Sequence, residues 1–246
     1  MRRILSMFVM ASAILWMSIA EAQTYKFKPA LDIPIGVITI GAGTTALVKQ
    51  KRNQGFTELE VNSLAYDVNK FDRSSINRSY NKKIHLWSDI GLVASVATPA
   101  LLFIDKKARN EFKYIAPMWA ETFALTYALT GMTKELVRRN RPYVYYDDVP
   151  LETKMAKDAR ASFFSGHTSM TAASAFFTAK VYTDLNPGNK WNPAVWTGAA
   201  VLPLTVGLLR YGGGKHYLTD ILTGYVVGAA IGILVPHLHK TTLGAR

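Results

Sequence analysis

Hydrophobic positions fall in blocks along the chain, over residues 33–48, 84–104, 114–133, 163–179, 194–209 and 221–235, with charged segments between them. The blocks are rich in Ala, Gly, Thr and Leu and lack the period-two alternation of half-buried strands, so the pattern predicts helices. Small residues in Gly198-Ala199-Ala200 and Gly228-Ala229-Ala230 allow close helix–helix approach. A spanning helix needs about 20 apolar residues, and most of these blocks are shorter or carry a charge such as Asp89 or Glu121. They fit thin membrane spans or the buried helices of a soluble bundle, and are read here as spans. The expected fold class is all-α, a bundle of five to six core helices embedded in a membrane.

The first block is the exception. Pro34, Gly36, Gly41 and Gly43 interrupt residues 33–48, which are expected to form a surface or re-entrant helix that does not cross. Residues 49–83 are polar, with scattered apolar positions such as Leu59, Val61, Leu64 and Phe71, and read as surface helices and loop.

Composition narrows the function classes. Of 246 residues, 49% are apolar and 19% charged, so the chain is not disordered. Lys and Arg number 29 against 17 Asp and Glu, a net charge of +12 that favours anionic partners. There is no cysteine, which excludes disulfide scaffolds, thiolate zinc sites and thiol catalysis. At the N-terminus, Arg2 and Arg3 precede an apolar run that closes on Ala20-Glu21-Ala22, the pattern of an export leader cleaved after Ala22. An exported chain is not expected to bind nucleic acid. The domain reading is a leader over 1–22, an N-terminal helical and surface segment over 23–83, and a catalytic domain over 84–240.

Three short stretches carry candidate chemistry. Lys134 is followed after six residues by Arg141-Pro142; on a continuous helix Lys134, Arg138 and Arg141 would share one face, with Pro142 ending it. Clustered cations of this kind bind a phosphate dianion. Ser165-Gly166-His167-Thr168 opens a block with a candidate N-cap and a glycine, placing free N–H groups and a titratable imidazole at a helix N-terminus. Finally Arg210, five residues, His216, three residues and Asp220 surround Gly212-Gly213-Gly214, read as a flexible loop. His216 and Asp220 are four apart; on one helical face the carboxylate would orient the imidazole and leave its other nitrogen as a nucleophile. Each stretch alone has an ordinary structural explanation: a basic helix end, a capped helix start, a His–Asp cap. Their conjunction does not, because nine specified residues at ~5% each occur by chance on the order of 10^-12 per placement.

Together the stretches resemble the signature of the type 2 phosphatidic acid phosphatase and vanadium haloperoxidase superfamily, K-x6-R-P, P-S-G-H and S-R-x5-H-x3-D. Phe164 stands where Pro is usual, and Leu209 where Ser is usual. The resemblance implies that Lys134, Arg141 and Arg210 hold the phosphate oxygens with Ser165 and the Gly166 N–H. It implies that His216 attacks phosphorus, that Asp220 orients His216, and that His167 protonates the leaving oxygen. No metal or cofactor is implied, since fixed cations supply the charge. The expected substrate is an envelope lipid phosphate (phosphatidate, phosphatidylglycerol phosphate, undecaprenyl pyrophosphate or lipid A type). A soluble periplasmic acid phosphatase and a vanadate-dependent haloperoxidase are the alternatives. His237 and His239 follow Pro236 at the last block's end and are expected to serve the helix terminus or lipid headgroups. In the loop 106–113, four basic residues face one acidic residue, which places that loop in the cytoplasm and the three motifs on the periplasmic face of a bacterial inner membrane.

Overall fold

The computed structural model describes residues 23–65, 68–76 and 80–241. The expected leader over 1–22 lies outside the described residues. Six long helices run back and forth: α1 (Pro29–Arg52), α2 (Lys82–Val96), α3 (Phe112–Val137), α4 (Gly166–Leu185), α5 (Asn192–Gly212) and α6 (Leu218–His239). No strand occurs among the described residues, only an isolated antiparallel bridge between Tyr25 and Lys240. The all-α expectation holds.

The centre of the bundle is α4, which packs against α2, α3, α5 and α6. Its composition explains this position. Ala172, Ala173, Ala175, Phe177, Ala179 and Val181 are buried, and so are its interior hydroxyls Thr168, Ser169 and Thr171. Small side chains all round let neighbours approach from every direction. The closest neighbour is α6, whose Gly224, Gly228 and Gly232 form a stripe one residue per turn. A Cβ on them would lie 2.6, 2.1 and 2.4 Å from the carbonyl oxygens of Ser165, Ser169 and Ala173. Only glycine permits that backbone contact. It places the starts of α4 and α6 side by side, where the Ser165 N–H donates to the Asp220 carbonyl at 3.0 Å.

Four stretches are long and apolar enough to cross a membrane: Pro29–Arg52, Lys82–Ile104, Asn192–Gly212 and Leu218–His239. Their outward faces carry Ile33, Val37, Ile40, Trp87, Val93, Leu204, Leu208 and Val226, all exposed. Exposed apolar area on this scale marks a surface that meets something other than water.

Three sequence expectations change here. First, residues 33–48 belong to α1, one uninterrupted helix of 24 residues packed along α3. Pro34 is the sixth residue of α1, where it removes one backbone hydrogen bond without ending the helix, and the glycines leave the helix intact. So α1 runs beside α3 from one end of the bundle to the other as a helix long enough to cross, and the expectation that its proline and glycines interrupt it is not met. Second, the block 84–104 is not one α-helix: α2 stops at Val96 and a 3-10 segment, Thr98–Ile104, continues with Pro99 at its start. Third, His239 does not face headgroups. It is buried, its Nδ1 lies 2.7 Å from the Val235 carbonyl and its Nε2 is 2.6 Å from Asp32 Oδ1, tying the end of α6 to the start of α1.

The two ends of the bundle differ. At one end the segment before α1 is bound to the start of α3 and the end of α4: Glu111 accepts from the N–H groups of Thr24 and Tyr25 at 2.8 and 3.0 Å, and the Tyr25 hydroxyl donates to Asp184 at 2.9 Å. At the other end a small second core of Phe56, Tyr143, Val144, Tyr146, Val149 and Ala159 roofs the bundle. That roof covers the ends of α3 and α5 and the starts of α4 and α6, where all three motifs meet. Gln23 and the loop 106–113 therefore share the end opposite the motifs.

Candidate active site

Lys134 comes from the last turn of α3, which ends at Val137. Arg138 follows in the left-handed region at φ 49°, a conformation that ends a helix and that branched backbones adopt only when held. The Arg138 guanidinium donates to the Gln54 carbonyl and holds it. The chain then runs extended through Arg141 into a short 3-10 turn at Pro142. Lys134, Arg138 and Arg141 accordingly do not share a helical face, as the continuous-helix reading required. Lys134 reaches the site from the helix and Arg141 from the extended segment beyond it.

Arg141 is buried and fixed on three sides. Its Nε donates to the Asp158 carbonyl at 2.8 Å, its Nη2 to Asp158 Oδ1 at 2.6 Å and its Nη1 to the Lys215 carbonyl at 3.1 Å. The same Nη1 lies 3.3 Å from His216 Nε2. An arginine only donates, so this contact leaves the lone pair on Nε2 and the hydrogen on Nδ1. Nδ1 in turn faces Asp220 Oδ2 at 3.4 Å. His216 is 1% exposed, and burial first, then Arg141, Lys134 and Arg210, hold its imidazole well below the ordinary 6.5.

His216 precedes α6 by two residues, so the His–Asp pair straddles a helix start and does not lie along a helical face. Asp220 is fully buried and satisfied: it accepts from the Tyr217 N–H at 3.0 Å, the Ser162 hydroxyl at 2.5 Å and Arg139 Nη1 at 2.6 Å. Arg139 also bridges to Asp72, whose Oδ2 lies 2.7 Å from Nη2, and stacks 4.0 Å over the Tyr217 ring. Hydrogen bonds from Arg139 and Thr219 outweigh the burial of Asp72 and keep its carboxyl below the usual range. None of Asp72, Arg139 and Ser162 was found from the sequence. They sit in no motif: the left-handed turn at Arg138 takes Arg139 out of helical register, and tertiary packing brings Asp72 to Arg139 and Thr219, and Ser162 to Asp220.

Ser165 caps α4, its Oγ accepting from the Thr168 N–H at 3.4 Å and from the Thr168 hydroxyl at 2.9 Å. Gly166 is the first residue of α4, and a Cβ there would meet Thr130 at 3.3 Å and lie 3.8 Å from Lys134 Nζ. His167 Nε2 is 2.7 Å from Asp89 Oδ1 on α2. Arg210, at the last turn of α5, sends Nη1 to Ser88 Oγ at 3.2 Å and to the same Asp89 Oδ1 at 3.4 Å. Its Nε is buried with no partner among the described residues, a donor left over for a ligand. Asp89 was read only as a charge inside an apolar block. The signal available in the sequence was its rarity, because a carboxylate in such a block marks a function by default.

The glycine run is no flexible loop. Gly212 ends α5, the Gly214 carbonyl accepts from the Tyr143 N–H at 3.0 Å, and Gly214 adopts φ 74° with the Tyr146 ring 2.6 Å from where a Cβ would stand. This packed turn aims Lys215 at Asp158, 3.8 Å away, and over the Tyr143 ring at 4.7 Å. Burial, then Arg141, lowers the Lys215 ammonium to about 8. Burial opposes the charge on Asp158, but Arg141 and Lys215 prevail and hold that carboxyl far below the usual range.

All eight sequence-predicted residues thus come together at one end of the bundle. A cleft of about 1080 Å³ between α1, α2, α3 and α4 reaches three of them. Its walls include Leu47, Val93, Phe123 and Met170, and Lys134, Gly166 and His167 line it as well.

An all-helical bundle with a buried His–Asp pair among converging cations defines the class: a protein built to hold an anion against an imidazole nitrogen at one end of its helices. The chain belongs to the PAP2 superfamily, whose family model matches residues 119–243. It is similar to phospholipid phosphatase 1 of Rattus norvegicus, at 34% identity over 83 residues, covering 32% of this chain and 29% of that protein. It is also similar to a PA-phosphatase related-family protein of Dictyostelium discoideum, at 24% identity over 173 residues, covering 58% and 52% of the two chains. The chain therefore spans about half or less of these relatives. The crystal structure of a transmembrane PAP2 type phosphatidylglycerolphosphate phosphatase from Bacillus subtilis has the same fold, with a TM-score of 0.50, 21% identity, and coverage of 81% of this chain and 94% of that one.

Proposed function

We propose that this chain is a metal-independent phosphatase of envelope lipids that works through a phosphohistidine. The observation that carries the reading is the tautomer at His216: Nδ1 faces a buried carboxylate while the Nε2 lone pair points at Arg141. A phosphate seated between Arg141, Arg210 and Lys134, with the Ser165 hydroxyl and the Gly166 N–H donating to it, presents its phosphorus to that lone pair. Attack forms the N–P bond and breaks the bond to the leaving oxygen, which takes a proton from His167. Water then gives a proton to His167 and attacks phosphorus, the N–P bond breaks, and inorganic phosphate leaves with His216 neutral again. Fixed cations and in-line placement supply the stabilisation such a transfer needs.

The lipid part of the reading rests on the cleft, apolar along its walls and open to Lys134 and His167 at its polar end. The naming of the rat relative as a phospholipid phosphatase supports the same class. We place the helices in a bacterial inner membrane with the site on the periplasmic side, on the strength of the basic loop 106–113. Since Gln23 lies at the end of that loop, this orientation is incompatible with an exported, cleaved N-terminus, and of the two sequence readings we keep the outward-facing site.

The test is phosphate release from dispersed lipid phosphates by the purified chain in detergent. His216→Ala is expected to abolish release, and quenched wild-type enzyme to carry acid-labile phosphate. Turnover persisting in His216→Ala above a few per cent, or full loss on chelation with rescue by a divalent metal, overturns the proposal.

A further inference from the structure

The end of the bundle away from the motifs holds a second cluster of titratable side chains. Asp32 lies in the first turn of α1, Glu121 in the first half of α3, and His239 is the last residue of α6. One nitrogen or oxygen from each lies within 4.8 Å of those of the other two. Because α6 is 22 residues long, about 30 Å of helix separates His239 from the catalytic end.

The imidazole makes this cluster more than two neighbouring acids. His239 is buried, and its Nδ1 lies 2.7 Å from the Val235 carbonyl, an acceptor that obliges Nδ1 to carry the hydrogen. In the neutral ring the lone pair is then on Nε2, which faces Asp32 Oδ1 at 2.6 Å and Glu121 Oε2 at 3.9 Å. A lone pair does not rest against carboxylate oxygens, so a positive charge belongs between them. Among the described residues no lysine or arginine supplies it. Lys28 gives only its backbone N–H to Asp32 Oδ2, at 2.9 Å, and turns its ammonium to the carbonyls of Leu238 and Lys240. Glu121 makes no hydrogen bond among the described residues, and its one close charged partner is His239. A proton on Nε2 still leaves two carboxylates against one imidazolium. A divalent cation on the neutral ring balances both.

We infer that Asp32, Glu121 and His239 bind one divalent cation of the zinc class and so clamp α1 to α3 and α6. One imidazole nitrogen with two carboxylate oxygens suits zinc, whereas calcium takes more oxygens than the cluster offers. Tetrahedral ligands about 2 Å from zinc stand about 3.3 Å apart, between the 2.6 and 3.9 Å separations found here. Seating the ion asks Asp32 to draw back and Glu121 to come forward slightly, by rotation of their side chains. The ion replaces the proton between Nε2 and Oδ1, which leaves to solvent. Partial exposure of Asp32 gives the ion a way in and leaves a fourth position open. The ion takes no part in phosphoryl transfer. It fixes the start of the helix whose Leu47 and Gln50 line the cleft.

The test treats the full purified chain in detergent with EDTA, then with zinc, dialyses it, and measures retained zinc and thermal unfolding. Wild type is expected to keep one zinc per chain and to unfold about 5 °C or more higher with zinc than with EDTA. Glu121→Gln and Asp32→Asn, which keep the side-chain shapes, are expected to lose both the bound zinc and the shift. His216→Ala is expected to keep both. No retained zinc and no shift in wild type means that a proton joins His239 to Asp32, and overturns the site. A shift that survives in both carboxamide variants, or zinc lost in His216→Ala, puts the ion elsewhere and overturns it equally. Were Asp32→Asn to fail to fold, Glu121→Gln decides alone, because no hydrogen bond of the fold is lost with that carboxylate. Neither readout uses phosphate release, so the site and the phosphatase reading stand or fall separately.

Discussion

His167 Nε2 and Asp89 Oδ1 lie 2.7 Å apart, joining the start of α4 to a carboxylate on α2 that stands outside all three motifs. The other charged groups around His167 are cations, Arg210 and Lys134 among them, and Asp89 is the one carboxylate among them that favours the protonated ring. That makes a specific expectation about leaving groups. An alkoxide must be protonated as it departs, whereas a nitrophenolate need not be. Asp89→Asn is expected to slow release from an alkyl phosphate roughly tenfold and to change p-nitrophenyl phosphate turnover by less than about twofold, a general acid being worth ~10²–10⁴ in all. Equal losses on both substrates would mean that Asp89 acts only through Arg210.

Arg139 holds Asp72 and Asp220 together, with contacts of 2.7 and 2.6 Å to two fully buried carboxylates. Removing it leaves both charges buried without their partner. Arg139→Met is expected to cost about 3–5 kcal/mol, since breaking a buried pair from one side is far worse than replacing the pair. Thermal unfolding in detergent measures it, and a loss under about 1 kcal/mol would show that Ser162 and the Tyr217 N–H suffice for Asp220.

What the sequence disclosed and what it hid follow one rule. Lys134, Arg141, His167, Arg210, His216 and Asp220 were legible because phosphate chemistry fixes both their types and their spacing. The helices were legible because apolar blocks of this length leave few other options. Arg139, Asp72 and Asp89 were hidden because long-range packing brings them to the site: Asp72 is 148 residues from Asp220 along the chain, and only the turn at Arg138 swings Arg139 between them. The crossing of α1 was hidden for a different reason. Gly36, Gly41 and Gly43 read as breaks, yet the propensity loss of a glycine is small and the packing of α1 as a whole along α3 offsets it.

Gly228 sits at the tightest point of the bundle, where a Cβ would fall 2.1 Å from the Ser169 carbonyl oxygen. That neighbour is the backbone of the central helix and has no freedom to yield. Gly228→Ala is expected to destabilise by about 3 kcal/mol or to prevent assembly, at the upper end of overpacking costs. Gly198→Ala, where nothing lies within 4 Å of the new methyl, serves as the control and is expected to be neutral or slightly stabilising. If both variants unfold at the wild-type temperature, the α4–α6 contact is looser than described.

Two titrations outside the helices contribute to the pH profile. His216 must be neutral to attack, and because burial and its cationic neighbours hold it well below 6.5, protonation of the nucleophile does not curtail activity in mildly acid solution. On the basic side Lys215 loses its charge as pH rises through about 8. It faces Asp158, Arg141, Arg210, Tyr80 and Tyr143, and its loss strips one positive charge from beside the nucleophile. Loss of the Lys215 charge is expected to add a fall in kcat/KM through about pH 8 to whatever the other site groups contribute. Lys215→Arg, which stays charged, is expected to raise kcat/KM above about pH 8 relative to wild type and to leave the profile below about pH 7 unchanged. An unmoved basic limb would assign it to another group.

The orientation of the site follows from which end of the bundle holds the basic loop, and it is testable because the chain has no cysteine of its own. Asn110 is exposed at the end shared by Gln23 and the loop 106–113, while Asp147 is exposed on the roof above the site. The crossing of α1 makes these two ends mutually exclusive choices for the N-terminal side: a leader removed after Ala22 would leave Gln23 outside and turn His216 inward. The four basic residues of the loop argue the reverse. With single cysteines at the two positions, a membrane-impermeant thiol reagent on intact cells is expected to label Asp147→Cys and spare Asn110→Cys. The opposite pattern would put the site in the cytoplasm and restore the exported N-terminus. Labelling of both would show that the helices do not span, leaving the exposed apolar faces of α1, α2, α5 and α6 to be covered by something other than a bilayer.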